Sequence, residues 1–126
     1  MKIKIRQSDK FFSQYVRERD NWRCQYCQRL CKIGGEMIYK LDASHYIGRA
    51  NEKVRFFSDN VYSLCFSCHQ KLVGYTKSGT GEYDLFVKKR LGEERYKKLL
   101  VQAFQTTKKR DDFLDALYAK KLLEEL

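Results

Sequence analysis

A chain of 126 residues and 15.1 kDa has room for one domain with a modest core and none for a second catalytic lobe. With 43% hydrophobic and 33% charged residues it can bury a core behind a polar surface, which excludes wholesale disorder, and no run of about 18 apolar residues suggests a membrane span. The 26 Lys and Arg outnumber 16 Asp and Glu, so the net charge of +10 and pI near 9.4 call for a polyanionic partner: DNA, RNA or an acidic membrane.

The opening MKIKIRQ has no apolar stretch resembling a secretory signal, which predicts a cytoplasmic protein. Ser8 and Asp9 can start a helix in which Phe12, Tyr15, Val16 and Arg19 repeat at helical spacing until Asp20-Asn21. Phe11, Phe12, Tyr15 and Val16 form its packing face; Lys10 and Arg17 are expected to look outward. Gly34-Gly35 marks a turn, and Met37 to Leu41 is rich in strand formers, predicting a strand that ends near His45. Residues 46–60 read as a long functional loop, 61–64 as a second strand, and a helix should begin between Cys65 and Cys68. Lys77 to Gly81 forms the clearest linker. Beyond it the pattern is helical: Glu82 to Leu91 closed by Gly92, then a stripe of Tyr96, Leu99, Leu100, Ala103 and Phe104. A last helix from about Lys109 offers Phe113, Leu114, Leu117, Tyr118 and Leu122 as a packing face. These helices cap the core or build a dimer interface, with core packing favoured. The charge is uneven: residues 1–81 carry 15 basic and 7 acidic side chains, residues 82–126 carry 11 and 9, so the polyanion should meet the first two thirds.

Cys24-Gln-Tyr-Cys27 and Cys65-Phe-Ser-Cys68 form two CxxC pairs with 37 residues between them. In a reducing compartment this spacing fits four thiolates around a structural zinc better than a disulfide framework. Such a metal would staple a whole strand-loop-strand excursion, a large gain for so small a chain. Cys31 is the spare: it could replace Cys27 as ligand, with a buried free thiol the favoured expectation.

The two histidines are His45, ending the first strand with Asp42 three residues before it, and His69, directly after the second knuckle. If zinc pins that helix beside the hairpin, both imidazoles can face one cleft. That arrangement suits phosphodiester hydrolysis, one neutral imidazole deprotonating water while the other helps hold a divalent cation. Arg49, Lys53 and Arg55 in the loop and Lys71 past the knuckle become candidate phosphate contacts, with Arg49 and Arg55 favoured. Phe56 and Phe57 are read as core.

A His at a strand end, a later Asn and a CxxCH helix start make this sequence resemble the zinc-knuckle HNH nucleases of the ββα-metal fold. Within that class it is most similar to the phage lambda NinG (Rap) recombination endonucleases. The likeness is carried by Phe12-Ser-Gln-Tyr-Val-Arg-Glu-Arg-Asp20, Asp42-Ala-Ser-His45 with Arg49, Arg55-Phe56, Asn60, the Cys65 to His69 start, Gly74 and the segment Tyr83 to Gly92, roughly residues 8–100. It implies an α+β fold in one domain: residues 8–76 as an N-terminal helix, knuckles and ββα core, and 82–126 as a helical extension. His45 is then the general base, Asn60 the brace of the hairpin and His69 a ligand of a catalytic Mg²⁺ or Mn²⁺. Many HNH nucleases carry Asp immediately before the His; here it is Ser44, so the carboxylate ligand falls to Asp42. The resemblance further implies branched DNA such as a Holliday junction as substrate, and a phage or prophage protein in a bacterial host. Symmetric incision would suit a homodimer. The rivals are a zinc-stabilised nucleic-acid-binding module without cleavage, or an HNH nuclease acting on ordinary duplex DNA or RNA.

Overall fold

The computed structural model describes residues 4–74, 81–105 and 110–126. Helix α1 (Gln7–Arg19) begins where expected: the Asp9 carboxylate accepts the Arg6 backbone N–H at 2.7 Å, an N-terminal capping contact. Phe12, Tyr15 and Val16 are buried. At the far end Arg19 donates to the Ser58 and Val61 carbonyls at 2.9 and 2.6 Å, and Asp20 accepts the Ser63 N–H at 3.0 Å. These bonds lash the end of α1 to the central hairpin.

A short ribbon follows, β1 (Lys32–Ile33) and β2 (Glu36–Met37), joined through Gly34 and Gly35 at φ +61° and +83°. Both positions need the left-handed conformation that a two-residue hairpin turn demands. The strand expected from Met37 to near His45 starts late. Met37 closes β2, and the N–H groups of Ile38 and Tyr39 turn back to the Cys31 carbonyl, so the chain bends before the main sheet starts. That sheet pairs β3 (Leu41–His45) antiparallel with β4 (Val61–Cys65), Leu41 opposite Cys65 and His45 opposite Val61. Helix α2 (Phe66–His69) follows β4 without a break and runs into a π-helical turn, Gln70–Gly74.

The expected linker lies mostly outside the described residues, although Gly81 stands at the N-cap of α3 (Glu82–Phe104). Gly92, at φ +77°, kinks that helix where a C-terminal stop was anticipated. Tyr83, Val87, Leu91, Leu99 and Ala103 bury against Leu41, Leu64 and Leu72, while Phe104 is 83% exposed. Helix α4 (Asp112–Glu124) packs on α1. Its expected apolar face is a correction: Ala116 and Ala119 are the buried residues, Leu122 is half-buried, and Phe113, Leu114, Leu117 and Tyr118 face outward. Small side chains let the two helices approach closely, which turns the bulky ones away. Phe56 is buried beside Phe12, and Phe57 is half-buried against the main core.

One buried ion pair ties α1 to the long loop. Arg55 is fully buried and grips Asp9 through Nε, at 2.9 Å from Oδ1, and Nη2, which also donates to the Lys4 carbonyl at 3.1 Å, while Nη1 donates to the Arg49 carbonyl at 3.3 Å. Burial raises the Asp9 pKa, but the bonds from Arg55 and the Arg6 backbone outweigh it and hold the carboxyl below its ordinary range. Asp9→Ala should therefore cost about 3–5 kcal/mol in urea unfolding near neutral pH, because it strands a buried guanidinium. A loss below about 1 kcal/mol would show that the pair does not anchor the loop.

Candidate metal centre and cleft

The first knuckle is a tight turn in which Gln28, at φ +67°, donates to the Cys24 carbonyl and the Cys27 N–H points to the Cys24 sulfur at 3.5 Å. Gln25 N–H donates to the Ser63 carbonyl at 2.8 Å, fixing this turn to β4. Cys65 ends β4 and Cys68 lies in α2, so the second pair straddles a strand-to-helix junction. The four sulfurs lie within 4.8 Å of one another, and Cys27 and Cys65 are 3.8 Å apart. A tetrahedron with Zn–S bonds of about 2.3 Å has edges of about 3.8 Å, so this donor set fits zinc. Burial pushes the Cys65 thiol up, yet hydrogen bonds from Ser67, Cys68 and Cys27 pull it down to about 6; burial and Cys65 raise Cys68. One thiolate thus shares protons with its neighbours, and a dication would displace the rest. Cys31 is buried outside this set, its thiol 3.6 Å from the Arg29 carbonyl.

Beside the knuckles opens a cleft of about 710 Å³ walled by α1, β3 and α2, and both imidazoles line it. His45 Nε2 is 2.9 Å from the Arg55 carbonyl. A carbonyl only accepts, so Nε2 carries the proton and Nδ1 keeps its lone pair. Burial drives the His45 pKa down to about 4; the carbonyl bond opposes this and the Arg49 charge adds to it. His69 Nδ1 lies 3.0 Å from Asp42 Oδ2 and donates to it, leaving Nε2 as its free nitrogen. Among the described residues, His45 Nδ1 and His69 Nε2 are the ring nitrogens that these partners leave unengaged. Asp42 stands behind His69 as its orienting carboxylate, with Oδ1 3.9 Å from Lys40 Nζ. Among the described residues only the four cysteines bring three or more metal-ligating groups together.

Ser44 is buried, its hydroxyl 2.9 Å from the Tyr83 hydroxyl on α3, so this position serves the core. Asn60 is fully buried: its amide donates to the Ile47 and Val54 carbonyls at 2.9 and 3.1 Å and accepts the Ile47 N–H at 2.8 Å. Those bonds close the two ends of loop 46–60 onto each other. It touches the backbone of the loop that carries Arg55 rather than the cleft.

Of the four basic residues expected at phosphate, only Arg49 lines the cleft. Arg55 is corrected outright, since its guanidinium is enclosed on Asp9. Lys53 is half-buried, its backbone bonded to Asn51 and Gln102, and Lys71 sits 3.4 Å from Glu82 and over the Tyr26 ring; neither lines the cleft. The basic wall comes instead from Lys10 and Arg17, expected on the solvent face, and from Lys40. The spacing of Lys10, Ser13 and Arg17 along one edge of α1, beside its apolar face, was the available signal.

The family model described as Bacteriophage Lambda NinG protein matches residues 2–123, nearly the whole chain. The chain belongs to the NinG family. No curated protein and no solved structure matches it. NinG membership makes this a phage protein, and none of its described helices is long and apolar enough to cross a membrane.

Purified under reducing conditions, the protein should hold one zinc per chain by elemental analysis. Cys65→Ser should lose it together with cooperative unfolding, and Cys31→Ser should keep both. Full zinc content in Cys65→Ser would remove that thiolate from the site. A second expectation concerns acid. His45 has a folded pKa below its unfolded value of about 6.5, so the unfolded state binds the extra proton and stability falls as pH drops from about 6.5 towards 4. His45→Gln should flatten that part of the urea-midpoint profile; an identical slope in the variant would contradict the assignment.

Proposed function

We propose that this NinG-family chain is a metal-dependent DNA endonuclease of the HNH class. The observation that carries this reading is the pair of imidazoles lining one basic cleft, each with a free nitrogen and a fixed tautomer. His45 is held neutral by burial and offers Nδ1 to accept a proton from the attacking water. The Arg55 carbonyl keeps the ring in the required tautomer and rotation, and Asn60 and the Asp9–Arg55 pair keep that carbonyl in place. His69, oriented by Asp42, would offer Nε2 as a ligand to a Mg²⁺ or Mn²⁺ ion. Such a cation would neutralise charge on the phosphate and on the leaving oxygen.

The net charge of +10 supports a nucleic-acid substrate. Branched DNA in phage recombination rests on the family resemblance alone. The α4 face of Phe113, Leu114, Leu117 and Tyr118 leaves room for a second protomer, in keeping with a homodimer.

Zinc-loaded protein given Mg²⁺ or Mn²⁺ should nick DNA, with four-way junctions and flaps preferred over duplex, single strands and RNA. His45→Ala should reduce the rate by about 10²–10⁴-fold with zinc content unchanged. Binding without turnover under every divalent ion would establish a non-cleaving module, and full activity in His45→Ala would remove that residue from the reaction.

A further inference from the structure

Most guanidinium groups tied into this fold by a carboxylate are paired tightly: Arg55 to Asp9, Arg6 to Glu52, Arg95 to Asp59 and Arg110 to Asp115. Arg17 differs. It lines the cleft from α1, and among the described residues its enclosed Nε has no hydrogen-bond partner and its terminal nitrogens make only long contacts of 3.4 Å, to the Leu41 carbonyl and the Ser13 hydroxyl. Its other neighbour is the Trp22 ring, 5.7 Å from the guanidinium carbon. Burial presses the Arg17 pKa below its ordinary value, and the Asp42 charge only partly offsets this. An enclosed N–H without a partner carries a desolvation cost that an apolar side chain of similar length would not. Its natural complement is an anion entering from the cleft. Lys10 and Lys40 line the same wall, and the carboxylates there are already engaged, Asp9 by Arg55 and Asp42 by His69.

We propose that Arg17, flanked by Lys10 and Lys40, is the phosphate seat of this cleft, its guanidinium hydrogen-bonding the non-bridging oxygens of a nucleic-acid phosphodiester held beside the Asp42–His69 pair. The seat deepens the nuclease reading by naming what grips the substrate, but it requires only that a nucleic-acid strand enters the cleft. Arg suits the task through its planar fork, which matches two phosphate oxygens at once. The Trp22 face and Ser13 hold that fork in place before the strand arrives.

The test separates binding from cleavage. Zinc-loaded His45→Ala protein is titrated with a fluorescein-labelled four-way junction and a labelled duplex over a range of salt, alone and with Arg17→Met or Arg17→Lys added. Arg17→Met should weaken binding about tenfold and reduce the slope of log affinity against log salt by about one, as expected for one lost phosphate contact, while its Tm stays equal or rises. Arg17→Lys should keep the slope and recover part of the affinity. In the His45 parent, Arg17→Met should also lower the cleavage rate. Unchanged affinity and slope in Arg17→Met, or a His45→Ala protein that binds neither DNA, overturns the seat even if the protein with His45 intact cleaves. A fall in Tm with binding intact overturns it equally and makes Arg17 a structural prop. Binding weakened by Arg17→Met, together with no cleavage by the protein with His45 intact, upholds the seat and removes the nuclease reading alone.

Discussion

Four sulfurs within 4.8 Å of one another are the constraint on which the rest of the molecule depends. They join a turn after α1 to the junction of β4 and α2, two stretches separated by 37 residues, and a chain this small has few other ways to hold them. His69 follows Cys68 directly, so fixing that sulfur fixes where the helix presents its imidazole. The register of β3 on β4 does the same for His45, placing it opposite Val61 at the far end of the ladder. The cleft lies between these two consequences of one clamp.

The long loop between the strands is held by polar rather than apolar contacts. Asn60 closes its ends, and Arg55 pins its middle to Asp9 on the first helix. Both side chains are fully buried, and both support the carbonyl that receives the His45 N–H, Asn60 through the neighbouring Val54 carbonyl and Arg55 through its own backbone. Buried charge is thereby used to set the tautomer of a ring several ångströms away, at the stability cost that such pairs carry.

The sequence read well where chemistry or period is local. Two CxxC pairs announced the four-sulfur cluster, Gly92 the break in α3, and the spacing of Phe12, Tyr15 and Val16 the inner face of α1. It read poorly where a partner lies far along the chain. Arg55 looked like a phosphate contact because its main partner is far off in sequence: beside the longer 3.5 Å contact to Glu52, both arms of its fork close on Asp9, 46 residues earlier. Arg17 looked like a solvated charge because the wall opposite it is built by residues 40–49 and by α2. In α4 the large apolar residues suggested the packing face, whereas close contact with α1 selected the two alanines.

With two histidines in the chain, the central claim can be read from their ring signals alone. Mn²⁺ titrated into zinc-loaded protein should broaden the His45 and His69 imidazole resonances together at substoichiometric metal, since paramagnetic relaxation acts over the width of one pocket. Broadening of one ring with the other left sharp, or of neither, would contradict a shared cleft.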